Sequence, residues 1–303
     1  MIIDNGVRLN YSMRFEYIEV KRLKSILLIG QSNMAGRGYL KEVPAIYNEN
    51  IEMLRNGRWQ MMAEPIHFDR EVAGVGPAAS FAAAWTQDHP EEKLGLIPCA
   101  EGGSSIDEWA EDQLLTRHAI TEAKFAMETS ELIGILWHQG ENDSLNERYK
   151  EYGAKLKAVF THFRKELGTP DLPIIVGELP DFLGKTGFGL SATEFMEINH
   201  EISKVVTEEQ NCYLVSAENL TANSDGIHIN AESQRRFGIR YYEAFSKGAN
   251  VSQAMGIEDE RLSKIYGRET TKNEKLYLLS RDFAFGKLNY QKFLEKYAEI
   301  TGA

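Results

Sequence analysis

The chain has 303 residues, ample for a self-sufficient core, and carries 34 Lys and Arg against 45 Asp and Glu, a net charge of −11 with no basic run. That balance repels a phosphate backbone and an anionic bilayer surface, so neither nucleic acid nor membrane is an expected partner. No stretch approaches the ~20 apolar residues of a membrane helix, and residues 1–20 lack the basic start, apolar stretch and cleavage site of a signal peptide, so a soluble cytoplasmic protein is the expectation.

After an N-terminal extension, residues 1–20, the first strand reads as "SILLIG" (25–30), apolar on both faces as in a parallel sheet. It runs into Gln31, Ser32 and Asn33, polar residues placed where open parallel sheets bind ligands. By itself "GQSNMAG" also suits a plain turn. The segment from Tyr39 to Gly76 contains Asn56-Gly57 between strand-compatible residues, a hairpin signal. "PAASFAAAW" reads as a helix and "KLGLIPCA" (93–100) as the second strand. "TRHAITEAKFAMETS" is helical and "IGILWHQG" (133–140) is the third strand. From Leu145 to Leu167 apolar residues step by three or four along one helical face. "PIIVGEL" (173–179), a helix over "SATEFMEINHEISKVVTEE" and "CYLVSAE" (212–218) follow, then a helix after Asn230 as N-cap.

Alternating β and α elements predict a doubly wound parallel five-stranded sheet of flavodoxin-like order over residues 21–248. Residues 249–303 read as a charged helical appendage whose aromatics, including Tyr266, Tyr277, Phe283, Phe285, Tyr290 and Phe293, call for burial against the main domain or in a homo-oligomer. Cys99 and Cys212 fall in apolar runs without metal-ligand spacing and read as buried thiols.

Polar clusters follow several strands: "EGGSSIDEW", "WHQGENDS" and, beyond the fifth, "NSDGIHIN". The fold gathers them with Ser32 at one rim. A serine hydroxyl needs a base, His228, and that imidazole needs an acceptor on its other nitrogen, Asp225 three residues earlier. The candidate oxyanion donors are the backbone N–H groups of Ser32 and Gly103 and the side-chain amide of Gln139. Gly103 would let substrate approach the backbone. Gln31, Asn33, Ser104 and Glu141 are expected to support the site or touch substrate, and Glu141, Asn142 and Asp143 to brace it or cap the helix near Leu145. Trp109 and Trp137 could line a sugar cleft or belong to the core.

"GQSNMAG", "GGSSIDEW", "WHQGEND" and "DGIHIN", together with "GRWQMMAEPIHFD" and "GVGPAASFAAAW", resemble the blocks of the SGNH hydrolase superfamily. Within it they are most similar to the sialate O-acetylesterase-like branch, carbohydrate esterase family six, over roughly residues 24–247. The resemblance implies a three-layer α/β/α esterase with Ser32 as nucleophile, His228 as base, Asp225 as its partner and no metal or organic cofactor. It points to Gln139 as the side-chain oxyanion donor, as in the sialate-type branch, with Asn142, which sits where the wider superfamily places its donor, as the rival. The expected activity is removal of O-acetyl groups from a carbohydrate, an acetylated xylo-oligosaccharide or a sialic-acid-like sugar, through an acyl-serine. The rival is an inactive carbohydrate-binding protein of the same fold. A metal-dependent phosphodiesterase would want a basic cleft, which the charge disfavours.

Overall fold

The structure, a computed structural model, describes residues 22–302; the expected N-terminal extension lies outside the described residues. Strand β1 (Leu23–Gly30) is central, flanked by β4 (Leu94–Pro98) and β5 (Ser130–His138), with β6 (Ile174–Gly177) and β7 (Cys212–Val215) continuing outward. These five strands are parallel, in the predicted flavodoxin-like order.

The sheet nevertheless has seven strands, not five. Asn56 and Gly57, at φ 51° and 71°, close a hairpin between β2 (Ile51–Arg55) and β3 (Arg58–Met61). Left-handed backbone at both turn residues matches the twist of antiparallel strands. The sequence shows this hairpin but not its docking, which occurs because β2 pairs in parallel with β4.

The continuous apolar run of β1 has a direct cause. Ile26 and Leu28 enter the core on one face of the sheet and Leu27 and Ile29 the core on the other, all four with no exposed surface. Each such burial is worth about 1.5–3 kcal/mol. The first face is covered by α2 (Ala78–Asp88) and α6 (Ala231–Lys247), the second by α3 (Leu114–Met127), α4 (Tyr149–Glu166) and α5 (Phe195–Glu208). Asn230 caps α6 as expected, its Oδ1 accepting from the Ser233 N–H at 2.9 Å. The helix expected from Leu145 begins only at Tyr149, because Asn146 and Glu147 take left-handed φ of 60° and 59°. Glu141–Asp143 form a separate 3-10 turn and cap no helix there.

Beyond α6 the chain runs back along β7, where Val251 pairs with Val215, and continues into α7 (Ile257–Tyr266), α8 (Lys272–Ala284) and α9 (Tyr290–Thr301). Helix α7 packs on α2 and α6 and supplies Glu258, buried with Arg240 of α6 at 2.6 Å. Glu274 of α8, also buried, accepts from Arg268 and from the Glu49 N–H, tying that helix to the loop before β2. The aromatics beyond it fare differently: Phe283, Phe285 and Tyr290 remain exposed, and α9 buries none of its residues completely. Among the described residues no helix is long and apolar enough to cross a membrane.

Candidate active site

Strand β1 ends at Gly30, whose φ of 126° and contact with the His138 carbonyl leave no space for a Cβ. This close approach joins the ends of β1 and β5 and sends the chain into the one-turn helix α1 (Ser32–Ala35). Ser32 opens that turn, and its Oγ lies 3.1 Å from His228 Nε2. His228 Nδ1 lies 2.8 Å from Asp225 Oδ2. Asp225 Oδ1 meanwhile accepts the backbone N–H groups of Ile227 and His228, both at 3.0 Å, so the carboxylate is fixed by its own turn. Burial would raise the Asp225 pKa, but the hydrogen bonds from His228 and Ile227 and the imidazole beside it outweigh that and hold the carboxyl below its usual range. An ionised Asp225 selects the tautomer with hydrogen on Nδ1 and turns the Nε2 lone pair toward the serine hydroxyl.

A cavity of about 550 Å³ opens on this array, lined among others by Gln31, Ser32, Gly103, Asn142, Phe188 and His228. A second cavity, of about 640 Å³, lies between α2, α7 and residues 44–48, and none of the Ser32 group lines it. Its lining cations Arg261, Lys264 and Arg268 are already paired with Asp88, Glu260 and Glu274, whereas the Ser32 group faces the smaller cavity. Among the described residues the backbone N–H groups of Ser32 and Gly103 meet no protein acceptor. Gly103 has φ of 79°, and a Cβ there would meet no protein atom. The glycine is therefore required by backbone conformation, while the open space beside it is the cavity itself.

Gln139 and Asn142 separate clearly. Gln139 is fully buried and does not line the cavity; its Nε2 donates to Asp143 Oδ2 (2.6 Å), the Ser104 carbonyl (3.0 Å) and Gln31 Oε1 (3.2 Å). In this arrangement Gln139 is a brace between loops, and the choice of side-chain oxyanion donor is made below as a proposal. The Asn142 amide is exposed on the cavity and spends one donor on the Gly103 carbonyl at 2.7 Å, leaving its second hydrogen for a ligand.

The supporting residues divide similarly. Gln31 Oε1 gathers the N–H groups of Gly140 and Asn142 beside that of Gln139, holding the third loop against the first. Asn33 is buried off the cavity. Its Oδ1 accepts the Ile229 N–H (2.9 Å), and its Nδ2 donates to the Ile227 carbonyl (3.2 Å) and to Glu141 Oε1 (2.5 Å). It is thus a staple on either side of His228. Glu141 is buried against His138; burial alone would raise its pKa, but His138 and Asn33 lower it on balance. Ser104 contacts no cavity either, since its hydroxyl accepts from Trp109 Nε1 and donates to the Glu101 carbonyl. Trp109 and Trp137 pack edge to face with centroids 5.6 Å apart, without exposure, which places both in the core.

Sequence reading missed three cavity-lining arginines and their partners. Arg37 is buried and held by Asp69 at 2.5 Å, Arg70 pairs with Glu101, and Arg148 lies 3.5 Å from Asp143. Arg37 follows Gly36 in the first polar block, so proximity to Ser32 was available; its partner in the hairpin connection was not. Cys99 and Cys212 are buried, as read, and burial pushes both thiols up, Cys212 to about 12. Among the described residues no three His, Cys, Asp or Glu side chains are grouped to hold a metal ion.

The family model for carbohydrate esterases of the sialic acid-specific acetylesterase type matches residues 22–247, nearly the whole sheet and every loop just described. The chain belongs to this family. It is a carboxylic ester hydrolase of the carbohydrate esterase class, with the SGNH-like fold that the polar blocks implied. A probable carbohydrate esterase from Arabidopsis thaliana is 30% identical over 241 residues, covering 72% of this chain and 88% of that protein. The solved structure of the Arabidopsis protein superposes with a TM-score of 0.67 at 27% identity, over 75% of this chain and 98% of that one. The crystal structure of NanS superposes at 0.61 over 75% and 97% of the two chains, a likeness of fold at 14% identity. The family match ends with α6, so α7 to α9 lie beyond it.

Proposed function

We propose that this esterase removes O-acetyl groups from a carbohydrate through an acyl-serine formed on Ser32. The observation that carries the reading is the unbroken line Ser32 Oγ, His228, Asp225, at 3.1 and 2.8 Å, opening on a cavity. Ser32 attacks the acetyl carbonyl as His228 Nε2 takes its proton, and Asp225 stabilises the imidazolium that forms. The oxyanion is received by the Ser32 and Gly103 N–H groups and by the Asn142 amide. His228 then gives the proton to the departing sugar oxygen. In the second half it deprotonates water, which attacks the acyl-serine and releases acetate.

Acetylated xylo-oligosaccharides and sialic-acid-like sugars are the two substrate groups that the family and its neighbours bring forward. The cavity of about 550 Å³ exceeds what an acetyl group needs and has room for a sugar beside it. The test is acetate release from both substrate groups by the wild type and by Ser32→Ala, with and without chelator. Activity confined to the wild type and indifferent to chelator supports the mechanism. Equal activity in Ser32→Ala refutes it, and a wild type that binds acetylated sugars without releasing acetate returns the reading to a binding protein.

A further inference from the structure

Every buried backbone polar group needs a partner, and following those partners through the loop from Glu101 to Ser104 isolates one group. The Glu101 N–H donates to the Gly30 carbonyl at 3.0 Å, and the Ser104 N–H to the Glu101 carbonyl at 3.3 Å. The Gly102 N–H donates to Asp69 Oδ2 at 2.9 Å, while the Gly102 carbonyl accepts from Arg70 Nη2 at 3.2 Å. The Gly103 carbonyl accepts from Asn142 Nδ2 at 2.7 Å, and that of Ser104 from Gln139 Nε2 at 3.0 Å. Among the described residues the Gly103 N–H alone in this loop meets no protein acceptor, and Gly103 lines the cavity beside Ser32.

Two successive glycines hold such an arrangement poorly by themselves, because neither restricts its own φ and ψ. Rotation of the Gly102–Gly103 peptide exchanges its N–H for its C=O and would turn a carbonyl toward the place where negative charge develops. Residues 69 and 70, in the connection between β3 and α2, oppose that rotation. Arg70 is half exposed and shared with Glu101. Asp69 is the firmer anchor, with a side chain only 2% exposed. The Oδ2 that receives the Gly102 N–H also lies 2.5 Å from Arg37 Nη2, and Oδ1 lies 3.4 Å from Arg37 Nη1. Arg37 is fixed in turn: its Nη1 donates to the Gly36 carbonyl at 2.8 Å, and its own carbonyl accepts from Asn223 at 2.9 Å. Gly102 is pressed so closely on this pair that a Cβ there would collide with both the guanidinium and the carboxylate. Arg37 also neutralises Asp69, so the anchor places no uncompensated negative charge near the oxyanion.

Resting on the proposed esterase reading, we infer that Asp69 is a positioning residue for the reaction: through Gly102 it fixes the Gly102–Gly103 peptide, so that the Gly103 N–H is aimed before substrate arrives. Asp69 does not line the cavity and has no contact with Ser32. Its contribution is the preorganisation of a donor.

The test measures kcat and KM on p-nitrophenyl acetate together with inhibition by trifluoroacetone. Addition of Ser32 Oγ to that ketone, with the hydroxyl proton passing to His228, leaves a tetrahedral oxyanion in the same place as the reaction's own. Asp69→Ala is expected to lower kcat by about 10²-fold, to leave KM within about threefold, and to raise the trifluoroacetone Ki by a factor close to the loss in kcat. Asp69→Asn keeps an acceptor for the Gly102 N–H and is expected to hold kcat within about fivefold of wild type. Asp69→Ala strands the Arg37 charge and lowers Tm, so Asp69→Ala with Arg37→Met is the control: it is expected to recover Tm while kcat stays low. An Asp69→Ala enzyme within about threefold of wild type overturns the inference. So does a kcat that returns with Tm in the double variant, or an Asp69→Asn loss as deep as that of Asp69→Ala. Failure of the esterase reading is distinguishable, because Ser32→Ala would then keep its activity, whereas failure of this inference leaves Ser32→Ala inactive and Asp69→Ala active.

Discussion

Removing the Glu258 carboxylate tests whether α7 belongs to the folded body of this enzyme or merely follows it. Arg240 is 1% exposed; its Nε lies 2.6 Å from Glu258 Oε1 and its Nη1 donates to the carbonyls of Ser216 and Glu218. Glu258→Ala leaves that guanidinium with two carbonyls and no counter-charge, and the Met255 N–H also loses its acceptor. Breaking one side of a buried ion pair costs about 3–5 kcal/mol. In a chain of this size that corresponds to a fall in Tm of roughly 5–8 °C. Thermal unfolding followed by circular dichroism measures it directly. The double variant Arg240→Met with Glu258→Met removes both charges and is expected to recover most of the loss, since a well-packed apolar pair often matches a buried ion pair. A Glu258→Ala protein that unfolds within about 2 °C of wild type would refute the reasoning, as would a double variant no better than the single one.

Other consequences follow from the site and its surroundings. Burial first, with smaller opposing effects from Asp69 and the backbone, holds His67 down to about 4 against an ordinary 6.5. The unfolded chain therefore takes up a proton that the folded one refuses as pH falls from 6.5 toward 4, and stability drops across that window. From pH 7 to pH 5 this amounts to about 2 kcal/mol, and His67→Gln should show a correspondingly smaller shift in urea midpoint; an identical shift would remove His67 from the account. Asn142→Ala should lower kcat by about 10²–10³ with Tm unchanged. Gln139→Ala, which leaves Asp143 and Gln31 short of a donor, should instead lower Tm, and the opposite assignment of these effects would restore Gln139 as the oxyanion donor. Asp225→Asn should cost about 10⁴ in kcat while the protein stays folded, because the amide permits the wrong imidazole tautomer; retention of more than a tenth of the activity would contradict the role given to Asp225.

What could be read from the sequence was what lies close in the chain or follows from burial. Five parallel strands were visible because β1 is apolar on both faces, and the Asn56-Gly57 turn was visible because two consecutive left-handed residues need such side chains. The pairing of His228 with Asp225 was legible for the same reason, being confined to one four-residue turn. The docking of the hairpin on β4 was not, since pairing between distant strands leaves no local mark. The choice between Gln139 and Asn142 also escaped, because both side chains are amides three residues apart and only the 3-10 turn at Glu141 decides which faces the cavity.

The most direct test of the central claim is covalent labelling with a fluorophosphonate, followed by mass-spectrometric mapping of the modified peptide and assay of acetate release on the same sample. The account predicts one adduct per chain, located on Ser32, with activity lost in proportion to labelling and no labelling of Ser32→Ala. An enzyme that cleaves its acetylated sugar while Ser32 stays unmodified, or that keeps its activity once Ser32 is fully labelled, would contradict it.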